Sequence, residues 1–337
     1  MKAGALTLGS RVLGEGQPCL VVAHVGTAHG GEVDEALRLI EAAFQGGADA
    51  IAFPVFRAAE LLARRHPRRA EAEQAELSAR EWRKVLQAAK ASGLAVVAEA
   101  FDPASRDLAT EAGVDAFQSH PTDLDHPELL RGLASAGRPL LVGACGAGEP
   151  QVREALAAAG GSAALLAGPP LAPAAPEELR LAELGALRER YRVPVGFLDP
   201  TDGGSAFALH APALAAAHGA DFVEKPLALD RTRKGRDRAA ALAPEDFYRM
   251  VELLRQSERA RGEGEGAPAR PPLRGRSIVA AGLIGRGEAI TAERLGFKRT
   301  DDRFERGLAP AEAHRVIGRR AARPIQADET IREDMLE

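Results

Sequence analysis

Cysteine is almost absent: Cys19 and Cys145 are the two in 337 residues. That excludes a disulfide framework and any cysteine-rich zinc module, and it fits a reducing, cytoplasmic setting. Aromatic side chains are scarce, at 4 % with one Trp and two Tyr, so platforms for stacking bases or sugars are few. A ligand site must then rely on backbone and charge. Excess positive charge is also missing. The 44 Lys and Arg against 48 Asp and Glu leave a formal charge of −4, without the basic field that drives non-specific nucleic-acid binding. No stretch reaches the ~20 apolar residues that cross a bilayer, and the opening MKAGALTLGSRVLGEG lacks the apolar block of a secretory signal. Neither nucleic acid nor a membrane is expected as a partner.

What is present is a chain long enough for about two domains, 45 % hydrophobic and dominated by Ala, Leu and Val. Eight short apolar runs recur: Cys19–Gly26, Ala50–Phe53, Ala95–Ala98, Ala116–Ser119, Pro139–Gly143, Ala163–Ala167, Val193–Leu198 and Phe222–Lys225. Between them lie segments such as VDEALRLIEAAFQ and SAREWRKVLQAAKAS, with apolar residues at i, i+3, i+4 and i+7 behind Ser, Asp or Pro caps. Eight such alternations predict a (β/α)₈ TIM barrel over residues 19–260, with an open doubly wound sheet as the alternative. Residues 1–18 read as a β-hairpin ahead of it. Gly, Pro and charge displace the apolar period over residues 261–275, which reads as a linker, and residues 276–337 read as a small β-rich domain.

Catalytic groups of a barrel come from the C-terminal strand ends and the loops beyond them. This selects His24 and His29, then Pro54, then Glu99 and Asp102, then Gln118, His120 and Asp123. Farther on it selects Gly143 with its following glycines, Pro169 and Pro170, Asp199 and Asp202, and finally Glu224, Lys225 and Asp237.

The order of segments at these ends resembles the sialic acid synthase family, which condenses phosphoenolpyruvate with an amino sugar to give a nine-carbon sugar acid. VVAHVGTAHGG is similar to the family's A-E-I-G-x-N-H-x-G, GGADAIAFPVFRAAEL to G-A-D-A-V-K-F-Q-x-F, and VPVGFLDPTDG to V-P-V-G-x-S-D-H-T-x-G. DFVEKPLALDRTRKGRD is similar to E-K-H-F-T-L-D-R-x-x-x-G-P-D. SIVAAGLIGRGEAITAERLGFKR with VIGRRAARPI resembles the SAF, or antifreeze-like, domain joined to these barrels. The likeness spans almost the whole chain and implies a homodimer in which the SAF domain contacts the partner barrel.

The same correspondence removes most of the family's chemistry. It implies a divalent ion, Mn or Mg, held by two histidines, and here those positions are Pro200 and Pro226. Proline offers a metal no side-chain donor. The family's strand-two lysine and glutamine are Ala52 and Pro54, and the Lys and Ser after strand four are Gln118 and Pro121. The strand-five serine is Gly143, the Asn and Tyr after strand six are Pro170 and Ala172, the Ser beside the metal His is Leu198, and the Thr after strand three is Glu99. Donors that would converge on an anionic substrate give way to Ala, Pro, Gly and Leu, with an added acid.

Several family positions are kept: His29, Asp199, Thr201, Glu224, Lys225, Asp230, Arg231 and Asp237. Arg299, in FKRT, matches the arginine that reaches from the SAF domain of one subunit toward the partner's sugar. Lys225, Asp237 and Arg299 are therefore the substrate-binding candidates the resemblance supplies, although folding or dimerisation alone would also explain their retention.

Other signals stand apart from the resemblance. His24 replaces the family's Glu and, with Glu99 and His120, offers three ligands for a new metal site with an open position; the three would equally serve as unrelated rim residues. Gly143–Gly148 is either a phosphate cradle or a tight βα connection, and Arg64–Arg69 either a phosphate contact or a solvated loop. Cys145 is read as a passive thiol, and the prolines at 169–176 as a static rim. The expectation is a sialic-acid-synthase-like pseudoenzyme without metal or phosphoenolpyruvate condensation. It would bind a sugar or sugar phosphate, or scaffold surface-glycan synthesis. Two alternatives stay open: an active synthase of the N-acetylneuraminate type, and metal-dependent chemistry at His24, Glu99 and His120.

Overall fold

A computed structural model describes residues 5–14, 16–233, 235, 238–261, 275–300 and 307–337. The chain divides into two compact units, Met1–Ala267 and Pro268–Glu337. In the first, β1 (Leu6–Leu8) and β2 (Arg11–Leu13) form an antiparallel hairpin. Eight parallel strands follow: β3 (Leu20–His24), β4 (Ala50–Val55), β5 (Ala95–Ala100), β6 (Ala116–Ser119), β7 (Leu140–Gly143), β8 (Ala163–Ala167), β9 (Val195–Leu198) and β10 (Phe222–Pro226). They close in chain order, β10 pairing with β3. The barrel is the predicted one, and the open sheet is excluded by that last pairing.

Strand period fixes the two faces. Leu20, Val22, Ala50, Ala52, Ala95, Val97, Ala116, Leu141, Ala164 and Leu166 form one apolar cluster in the barrel interior, joined by Phe222 and by Leu6, Leu8 and Leu13 of the hairpin. Alternate residues such as Val21, Ile51, Phe53, Val96, Phe117 and Val142 belong to the second cluster, with the helices. The interior balances small against large: a Cβ on Gly196 would lie 2.2 Å from the Phe222 ring, so the missing side chain is the space that ring fills.

The helices start where short polar side chains accept the free amides. Ser78 and Glu81 form a reciprocal capping box ahead of Ala79–Ala91. Asp102 accepts from Ala104 N and Ser105 N at 2.9 and 3.0 Å, with Pro103 at the first helical position. Asp102, a strand-end candidate, is thus a cap. Burial raises its pKa, but the Ser105 hydroxyl and amide and Arg57 outweigh that and hold it below the usual carboxylate range.

At the opposite end of the strands three further acids are structural. Asp49, Asp115 and Asp221 each take the backbone N–H of a neighbouring strand, from Val21, Val96 and Val195 at 2.9, 2.8 and 2.8 Å. The second unit pairs β11 (Ser277–Ala280) with β12 (Leu295–Lys298) around a core including Ile278, Ile284, Ile290, Val316, Ile325, Ile331 and Met335. The linker expected at 261–275 falls almost wholly outside the described residues.

Candidate functional site

A cavity of about 800 Å³ lies at the C-terminal ends of the barrel strands. The inward alternation that places Val22, Ala52, Val97, Ala116 and Phe222 inside carries on to His24, Pro54, Glu99, Gln118, Glu224 and Pro226, and these line the cavity. The apolar interior therefore ends in a polar layer. In it His24 Nε2 lies 3.9 Å from Glu99 Oε2. Glu99 and Gln118 are register partners on β5 and β6, and Gln118 Nε2 donates to Glu224 Oε1 at 3.1 Å across the barrel. The pairing of Gln118 with Glu224 was legible only as two separate strand-end residues. The signal for it was their common inward parity.

The expected cluster of His24, Glu99 and His120 forms only in part. All three line the cavity, but His120 Nδ1 accepts from Thr122 N at 3.2 Å and lies 2.6 Å from the Thr122 hydroxyl, capping the turn Pro121–Asp123. Among the described residues no group of three or more His, Cys, Asp or Glu side chains could hold a metal ion. The three-ligand reading is corrected accordingly: proximity to one cavity is not convergence on one point. Pro200 and Pro226, the family's two imidazole positions, both line the cavity, and their rings carry no donor atom. The residues present do not fit the implied divalent ion.

Lys225 also departs from expectation. With Glu224 facing in, strand alternation turns Lys225 out of the barrel, and it is absent from the cavity lining. Its ammonium is fully buried, 3.0 Å from Asp199 Oδ2 and bonded to the Thr201 hydroxyl and carbonyl at 3.0 and 3.2 Å. Burial lowers its pKa, and Asp199 opposes this. In this structure Lys225 ties β10 to the segment just beyond β9. Asp237 lies outside the described residues, and Arg299 is an exposed residue of the second unit just beyond β12.

Cys145 lines the cavity, but burial pushes its thiol up to about 12. It is a neutral thiol at physiological pH and no ready nucleophile. Asp123, also on the wall, is raised by burial and by Glu99 against the pull of His120 and His126. The glycines at and beyond the end of β7 serve close packing: a Cβ on Gly143 would sit 2.4 Å from the Ser119 carbonyl oxygen, and one on Gly146 2.9 Å from Pro170. The Gly148 amide already donates to Gln151 at 3.0 Å. Of the basic run, His66 and Arg68 line the cavity, whereas Arg69 is held by Glu73 and the Leu62 carbonyl.

The NeuB family model matches residues 39–266 and the SAF domain model residues 275–337. An uncharacterized protein of Methanocaldococcus jannaschii is 28 % identical over 97 % of both chains. The N,N'-diacetyllegionaminic acid synthase of Legionella pneumophila is 26 % identical over 96 % of both. Among solved structures, the Bacillus subtilis spore coat polysaccharide biosynthesis protein SpsE superposes with a TM-score of 0.68, at 25 % identity over 99 % of both chains. With more than half its length in one family model and the C-terminal domain in place behind it, this chain belongs to the NeuB family and carries an SAF domain.

Proposed function

We propose that the barrel mouth binds a sugar-class ligand, and that this chain does so as a pseudoenzyme, without the metal-assisted condensation of phosphoenolpyruvate implied by its family. The observation carrying this reading is the presence of Pro200 and Pro226 on the cavity wall where the family places its two metal imidazoles. Around them, Ala52 is buried in the barrel interior where the family has lysine, and Gln118 and Glu99 stand where it has a lysine and a threonine. Each change removes a donor to an anion or adds an acceptor.

The second reading is a working sugar-acid synthase. It has the more direct support of the comparisons, because relatives matched over nearly the whole chain are named as synthases. Asp199, Glu224 and the cavity itself also remain.

One assay separates the two: phosphate release from phosphoenolpyruvate with N-acetylmannosamine and related amino sugars, manganese added, on protein shown to be folded and analysed for bound metal. The first reading expects no phosphate release, together with saturable stabilisation by a sugar. Phosphate release coupled to sugar consumption overturns it and establishes the synthase. The resemblance further supports a homodimer with Arg299 directed at the partner barrel, and a monomer by light scattering would sink that arrangement. Two free, buried cysteines support a reducing, cytoplasmic compartment.

A further inference from the structure

Gln118 is 2 % exposed and lines the cavity, and its Nε2 donates to Glu224 Oε1 at 3.1 Å. A carboxylate only accepts, so the amide is oriented with its NH₂ toward Glu224 and its oxygen away. That oxygen, Oε1, is buried and has no hydrogen-bond partner. A buried acceptor left unmatched is costly, and only a donor relieves it. Glu99, the register neighbour of Gln118, adds carboxylate oxygens to the same layer. The side chains this layer turns to the cavity from β5, β6 and β10 are thus rich in acceptors. His24 on β3 is a base within the layer, 3.9 Å from Glu99, whereas Arg68 and His66, also cavity-lining bases, belong to the long connection after β4.

We infer that Gln118, oriented by Glu224, makes the cavity floor an acceptor surface that reads hydroxyl or amide N–H donors of an uncharged sugar and turns away phosphate and carboxylate groups. This assignment rests on the reading of the mouth as a sugar site and adds the class of ligand end that reaches the floor. A phosphate oxygen placed at Gln118 would face its Oε1 and the acids Glu99 and Glu224, acceptor against acceptor, with His24 the opposing base beside Glu99, whereas a sugar hydroxyl or amide supplies the missing proton. The position that holds lysine in the family resemblance thereby changes from donor to acceptor, and the preference changes with it.

The test uses the full chain and its variants Gln118→Met and Gln118→Lys, with N-acetylmannosamine, phosphoenolpyruvate and inorganic phosphate as probes. Binding is read by titration calorimetry and folding by circular dichroism. The wild type is expected to bind the uncharged sugar more tightly than either anion. Gln118→Met, close in shape but without the amide, should weaken sugar binding by about three- to tenfold, the worth of one hydrogen bond. Gln118→Lys, whose ammonium keeps a bond to Glu224 but offers no acceptor, should weaken the sugar at least as much and gain affinity for phosphate. If the methionine variant does not fold, the lysine variant carries the comparison alone. Sugar binding within twofold of wild type in the folded variants overturns the role of Gln118 and leaves the sugar site standing. Tighter binding of phosphate than of sugar by the wild type overturns the acceptor floor. Failure of every probe to bind overturns the sugar site together with its floor.

Discussion

His29 shows what one retained residue does once its surroundings are known. It is 1 % exposed, edge-on to Trp82 with ring centroids 5.5 Å apart, and its Nδ1 accepts from Gly31 N. Burial lowers its pKa to about 4. The unfolded chain takes up a proton near pH 6.5 that the folded chain refuses until about pH 4, so stability falls as pH drops through that window. The loss should approach about 3 kcal/mol. Urea unfolding followed by the single Trp should show it, and His29→Phe should flatten the profile between those limits. Gly143 makes the opposite point, that a family residue cannot simply be put back. Restoring serine there drives a Cβ against the Ser119 carbonyl, and Gly143→Ser should cost roughly 1–3 kcal/mol by the same measurement. The replacements at the mouth were readable one by one in the sequence. The backbone approach that now holds glycine in place was not, because it depends on how the β6 and β7 ends lie against each other.

At the scale of elements, β10 carries two roles on neighbouring residues. Glu224 faces the cavity, and Lys225 closes a buried pair with Asp199. Removing the ammonium strands a buried carboxylate, so Lys225→Met should destabilise the barrel by about 3–5 kcal/mol, measured as a shift in the urea midpoint. Ser78→Ala removes one half of an exposed capping box and should cost about 1 kcal/mol. The eight strands and most helices were legible because period-two and 3.6-residue patterns alternate cleanly along the chain. The burial of Lys225 away from the cavity follows from the same pattern: two neighbouring strand residues cannot both face the interior. The union of His24, Glu99 and His120 failed differently, since the Thr122 cap on His120 is a local bond that strand parity does not reveal.

At the scale of the whole molecule, the barrel unit holds its own interior and outer clusters, and the C-terminal unit has a separate one. A chain ending at residue 267 should therefore still unfold cooperatively, in a single calorimetric transition. Loss of that transition would mean the barrel needs its smaller partner. The two-unit order was visible from the composition change and the family motifs.

The acids that receive strand amides, Asp49, Asp115 and Asp221, and the hairpin leucines stand at one end of the strands, and the polar layer of the cavity stands at the other. Most of the strand-amide contacts that organise the fold and the cavity-facing residues proposed for recognition are thus written at opposite ends of the same eight segments. A lineage can overwrite the second text while the first continues to be read, and a saturation library of this chain screened for abundance should separate the two: intolerance at the strand starts and at packed tip positions such as Gly143 and Lys225, and tolerance at cavity-facing tips such as Pro54 and Glu99.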